Sequence, residues 1–188
     1  VSEQLLDLAV MLRPSSDASE RELVTRLAGR LGYCAVHVPV APGEGLPSDE
    51  IDRLLEAAGP AMVVMDDGSD VDGLVRRNDP QLVREARAQL DALEDSRPLI
   101  VAVPISIGRT FNEAVARADR DERFVGDAHP RESGIFGTFE QAQEQVLELA
   151  RAGAEVLLVT VPHELDVADV LAQVKALVVG ATPALFDR

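Results

Sequence analysis

A chain of 188 residues is long enough to bury one substantial core, and its 46% apolar and 27% charged residues make an ordinary globular balance. The formal charge of −15 argues against nucleic acid or an anionic membrane as partner, because phosphate draws clustered Lys and Arg. Aromatics are 3% with no Trp, so Leu, Val, Ile and Ala must fill the interior; no apolar stretch reaches a membrane span, no basic-then-apolar leader is visible, and a cytoplasmic protein is expected.

The first expected strand is Leu5–Leu12, with Arg13, Ser15 and Ser16 just past its end. Ser19 with Glu22 spells a capping box, so a helix is expected from Ser19 to its stop at Gly32. A second strand, Tyr33–Val40, carries the single cysteine, Cys34, expected buried and inert, and His37, expected as a hydrogen-bonded core residue. The helix opening at Ser48 sets Ile51, Leu54, Leu55 and Ala58 on one face and ends at Gly59-Pro60. Ala61–Asp66 is the third strand, trailed by Asp67 and Ser69. Asp79 caps the next helix, with Pro80 in its first turn and Leu82, Ala86, Leu90 and Leu93 expected inward.

The fourth strand, Leu99–Ile105, leads through Ser106 into the turn Ile107-Gly108-Arg109-Thr110. Thr110 with Glu113, and Thr138 with Gln141, open the fourth and fifth helices as capping boxes. Between those helices the long polar stretch Arg120–Gly137 is expected to hold no strand, and loops of that length are usually functional or mobile. The last strand, Glu155–Val161, runs to His163 and Glu164, and a final helix from Asp166 is expected to bury Val167, Val170, Leu171, Val174, Leu177 and Val178. These strands are short, nearly continuous apolar runs, the pattern of strands covered on both faces. Alternating with helices, they predict one α/β domain over residues 1–188 with a parallel sheet and right-handed crossovers.

Parallel α/β folds bind ligands at the carboxyl ends of their strands. There Gly108 allows close backbone approach, the helix N-terminus at Thr110 offers N–H groups and Arg109 adds a charge, which makes a phosphate cradle; the same residues also make an ordinary helix cap. Gly137-Thr138 carries the same two readings without a cation. Asp66 and Asp67 lack a third ligand at recognisable spacing, so no metal is expected. His163 beside Glu164 is the best candidate for proton transfer, whereas His129 reads as solvated. No nucleophile–base pair emerges from the spacing.

Two stretches carry a resemblance. Gly134-Ile-Phe-Gly-Thr-Phe-Glu-Gln, followed by Leu149-Ala-Arg-Ala-Gly-Ala-Glu-Val-Leu-Leu-Val-Thr-Val, resembles the C-terminal end of the bacterial-luciferase-like oxidoreductases. Leu27-Ala-Gly-Arg-Leu-Gly-Tyr-Cys-Ala-Val-His-Val is similar to that family's first helix and second strand, and Arg97–Asp119 to late segments of some members. The resemblance implies a TIM-barrel-like fold and monooxygenase or other redox chemistry with FMN or the deazaflavin F420 on a small-molecule substrate; the strand-end residues Gly108, Arg109, Thr110, Arg13 and Ser15 are the expected cofactor contacts. Five strands cannot close a barrel of eight, and the shortfall falls between Ala61 and Asp95. After its second strand the family often has an acidic residue and His, where this chain has Val38-Pro39-Val40 following His37. The expected architecture is therefore an incomplete TIM-barrel-like, luciferase-like one. Its open edges also imply a second expectation, a non-catalytic homologue acting as a homo-oligomer, such as a dimer, or as partner to a full-length relative. A third, an open flavodoxin-type sheet, lacks the Gly-rich first turn, since Arg13-Pro14-Ser15-Ser16 stands there.

Overall fold

The computed structural model of the chain describes residues 6–13, 16–68, 73–120, 134–160 and 166–186. In chain order its elements are β1 (Asp7–Met11), α1 (Ala18–Leu31), β2 (Ala35–Pro39), α2 (Ser48–Ala58), β3 (Met62–Asp66), β4 (Leu74–Val75), α3 (Pro80–Ala92), β5 (Ile100–Ile107), α4 (Phe111–Ala118), β6 (Ile135–Gly137), α5 (Phe139–Arg151), β7 (Val156–Thr160) and α6 (Val167–Phe186). The strands form one sheet in the order β3-β2-β1-β7-β5-β4, with β6 also on β5, and every pairing is parallel. Among the described residues β3 and β4 do not pair with each other, so the sheet stays open. This is the expected incomplete TIM-barrel-like α/β architecture, with two strands more than the expected five. Leu74–Val75 and Ile135–Gly137 are too short to show a hydrophobic period, and the second interrupts what reads as an uninterrupted polar connection.

Five helices form one layer, in contact in the order α2-α1-α6-α5-α3. They bury the outward-pointing strand residues, among them Leu8, Val10, Val36, Val38, Val101, Val103, Leu157 and Val159, in one large core. Each such side chain taken fully out of water is worth about 1.5–3 kcal/mol. The opposite face carries a separate, smaller cluster of Ala9, Ala35, Val156 and Leu158, with Met11, Cys34, Val64, Ile100 and Ala102 packed on it; no helical residue takes part. Among the described residues the inner face is filled by the strands' own side chains, and no described helix covers it.

Local chemistry explains most boundaries. Asp79 accepts from the Gln81 and Leu82 N–H groups, Thr138 and Gln141 form a reciprocal capping box, and Asp166 accepts from the Ala168 and Asp169 N–H groups. The first helix corrects the expected Ser19 cap. Asp17, extended at φ −74° and ψ 171°, accepts from the Glu20 N–H at 2.8 Å, and Ser19 already lies in the first turn. At α4 the box is displaced: the Thr110 hydroxyl accepts from the Glu113 N–H, but the Glu113 carboxylate reaches the Arg109 N–H at 3.0 Å.

Two helix faces are also rotated from expectation. In α2, Leu55 is 52% exposed while Glu50 is buried and accepts from Arg21 Nε at 2.7 Å, because α2 turns its Leu54–Ala58 edge and Glu50 toward α1. In α3, Leu82 and Leu93 are exposed and Val83 and Leu90 are buried. The final helix buries Val170, Leu171, Val174, Leu177 and Val178, with Val167 at the core margin.

Tyr33 and Cys34 precede β2 instead of lying in it. The Tyr33 hydroxyl donates to the Leu171 carbonyl at 2.9 Å, tying the start of β2 to α6, and burial pushes its pKa well above the usual phenol value. Cys34 is half-buried, not buried. Burial first, and the Asp7 carboxylate second, push its thiol pKa up, so it is a poor thiolate at neutral pH.

Candidate functional site

In-register pairing sets the inner side chains in layers. Met11 lies level with His37 on one side and Thr160 on the other; His37 is level with Val64, Thr160 with Pro104. One step toward the carboxyl ends, Pro39 is level with Asp66. His37 and Asp66 meet across β2 and β3, with Nδ1 and Oδ2 3.3 Å apart and side chains 13% and 16% exposed. The other Asp66 oxygen accepts from the Gly68 N–H at 2.8 Å, which fixes the carboxylate as β3 ends. An imidazole donating from Nδ1 to a carboxylate presents Nε2 as its basic nitrogen, the arrangement used for proton handling.

A cavity of about 580 Å³ opens at the strand ends beside Asp66, with His37 behind that carboxylate and not in the cavity wall. Met11, Pro39, Val40 and Leu46 give it an apolar wall; Glu44, Asp66 and Asp67 place three carboxylates on it, and Arg76, just past β4, also lines it. A second cleft of about 420 Å³ lies around α4, lined by Ile107, Gly108, Arg109, Glu113, Arg117, Phe139 and the first turns of α6. Helix α4 stands apart from the outer layer and packs on β5 and β6. It is fixed there by the Ser106 hydroxyl donating to the Ala114 carbonyl at 3.0 Å, by Arg117 donating to the Ile107 carbonyl at 2.5 Å, and by a tilted Phe111–Phe136 ring pair at 5.7 Å.

The expected cofactor residues separate accordingly. Gly108, Arg109 and Thr110 sit together at the α4 cleft, where a Cβ on Gly108 would lie 2.6 Å from the Ala114 nitrogen, so the turn requires glycine. Arg13 is drawn instead into an ion pair with Glu20 of α1. Ser16 is buried, its carbonyl accepting from Arg21. Ser15, Ser69, His129, His163 and Glu164 lie outside the described residues. Among the described residues no three His, Cys, Asp or Glu side chains cluster as a metal site, and no helix is long and apolar enough to cross a membrane.

The pair His37–Asp66 is the feature that sequence reasoning passed over as a site. His37 reads correctly as a hydrogen-bonded strand residue, but its partner depends on β2–β3 register, which neither segment encodes alone.

No protein-family profile matches the chain, and no curated protein sequence does. Solved structures do. The coenzyme F420-dependent tetrahydromethanopterin reductase from Methanopyrus kandleri superposes with a TM-score of 0.65 at 11% identity, covering 94% of this chain and 99% of that one. The apo form of MsnO8 superposes with a TM-score of 0.61 at 16% identity, covering 94% and 98%. At such identities the likeness establishes the fold alone, an incomplete TIM-barrel-like α/β architecture, and leaves the activity to the chemistry of the site.

Tested against a flavin or deazaflavin, the lining fits the ring and not the tail. The Met11, Pro39, Val40 and Leu46 wall suits a flat ring system, whereas an anionic tail meets Glu44, Asp66 and Asp67 at the cavity. At the α4 cleft it meets Glu113, Asp166 and Asp169.

Proposed function

We propose that the chain is a luciferase-fold oxidoreductase acting on a small molecule at the barrel mouth, with an isoalloxazine or deazaflavin ring of the FMN or F420 type against the Met11–Pro39–Leu46 wall. The observation that carries this is the Asp66 carboxylate on the cavity wall, paired with His37 behind it, at the end of a parallel sheet where such folds place ligands. Such a ring supplies two-electron chemistry when bound. The chain's own contribution is the Asp66 carboxylate on the wall, the His37 imidazole that pairs with it, and an apolar wall that excludes water. Absorbance titration of the purified protein with FMN and with F420 tests this. Perturbed ring bands below about 100 µM ligand, a Kd equivalent to roughly −5.5 kcal/mol, are expected. His37→Ala should alter the bound spectrum. Unchanged spectra with both cofactors and with riboflavin would end the enzyme reading.

A second reading is favoured by one specific observation. Edge strand β3 and neighbouring α2 expose Met62 (64%), Leu55 (52%) and Met65 (37%), apolar groups that a partner would cover. On that reading the chain is an oligomerising subunit, and a stable monomer by light scattering at micromolar concentration would count decisively against it.

A further inference from the structure

We infer that the mouth takes its ring ligand without anchoring an anionic tail, so that uncharged, riboflavin-level compounds are its ligands in preference to phosphorylated ones. The inference rests on the ring-binding reading above and sharpens the class of ligand. Phosphate tails are held at helix N-termini and by guanidinium groups. Among the described helices all but α2 fill these positions with their own side-chain acceptors, and α2, which has no side-chain cap, carries the carboxylates of Asp49 and Glu50 in its first turn. Asp17 takes an N–H of α1, and Asp79 takes two of α3. Thr110 and Glu113 occupy those at the start of α4, Thr138 and Gln141 close α5, and Asp166 takes two at α6.

Several cationic side chains near the strand ends are similarly engaged among the described residues. Arg117 is held by the Ile107 carbonyl and by Glu113 at 3.1 Å, and Arg13 by Glu20. Arg109 shares its cleft with Glu113, Asp166 and Asp169. At the mouth itself, among the described residues, the carboxylates of Glu44, Asp66 and Asp67 outnumber the guanidinium of Arg76. The whole chain adds a formal charge of −15, so the far field repels an anion before the near field meets it. The apolar wall and the His37–Asp66 pair, by contrast, ask nothing of a tail.

Equilibrium titration with riboflavin and FMN, followed by ring fluorescence, at about 20 and about 300 mM salt tests the inference, because screening acts in opposite directions on repulsion and on anchoring. Riboflavin is expected to bind at least as tightly as FMN, and FMN binding is expected to strengthen severalfold with salt. Glu44→Lys, on an exposed loop, should tighten FMN severalfold and leave riboflavin unchanged, and Arg109→Ala should leave both unchanged. FMN binding more than threefold tighter than riboflavin, weakening with salt, or losing tenfold in Arg109→Ala would overturn the inference while leaving the ring-binding reading intact. No binding of either compound, or of F420, removes that reading and this inference with it.

Discussion

Gly29 lies where α1 crosses α2, and replacing it with Ala tests whether that crossing is as close as described. In a helix interior the change alone favours the protein by about 0.8–1 kcal/mol, because Ala is the better helix former. Here a Cβ would press on the Ala58 carbonyl group, its carbon 3.0 Å away and its oxygen closer still. The obstacle is backbone, at the last turn of α2, so no side-chain rotation relieves it. Only separation of the helices does, and that disturbs Leu54, Ala58 and the buried Arg21–Glu50 pair. Overpacking of this kind costs about 1–3 kcal/mol, and an unyielding neighbour places it in the upper half of that range. The net expectation is a loss of about 1–2 kcal/mol, read as a melting point lower by about 2–8 °C for a domain of this size. Gly45→Ala is the control, since its Cβ would meet nothing within 4 Å and its φ is not in the left-handed range. It should stabilise by about 0.4–1 kcal/mol through the unfolded chain. Urea denaturation of both variants gives the comparison, and a Gly29→Ala midpoint at or above wild type would refute the close crossing.

Tyr33 is the chain's one tyrosine, so alkaline difference spectra report it alone. Its folded pKa is raised by burial above the ordinary 10, so its contribution to stability is full below about pH 10 and is lost as pH rises toward the folded value; ionisation should coincide with unfolding, and a simple transition near 10 in folded protein would contradict its burial. Tyr33→Phe removes the hydrogen bond to Leu171 and should cost about 1 kcal/mol in urea denaturation. Cys34 should react with a thiol reagent in the native protein, but well below the denatured rate, and equal rates would refute its half-burial. Asp166→Ala leaves the Ala168 and Asp169 N–H groups without their cap and should cost about 0.5–2 kcal/mol, where an unchanged midpoint would show that α6 does not depend on it.

Much of the fold was legible because helix signals are local. Asp79-Pro80, Thr138 with Gln141 and Asp166 each declare a helix start within four residues, and each forms as expected. Strands with five or more apolar residues were equally plain. Leu74–Val75 and Ile135–Gly137 were not, because two or three residues carry no period and form only where β5 offers an edge. Helix faces were misread where a neighbouring helix decides the rotation, as at Leu55 and Leu93. The candidate site was the least legible part. His37 and Asp66 lie 29 residues apart, and their meeting is a consequence of register. The loop carboxylates around the mouth have no sequence pattern at all.

The direction in which β3 runs also restricts what two copies of this chain can build. Closed pairs of identical chains are related by a two-fold axis, which brings an edge strand against its own reversed image. Two β3 edges would therefore meet antiparallel, whereas every ladder inside the sheet is parallel. A second copy at that edge thus cannot supply the missing barrel strands in their proper sense; it would set the two mouths facing opposite ways, each with its own His37 and Asp66. Completing the barrel in its own polarity would require a non-identical chain, or an asymmetric contact that does not close on itself.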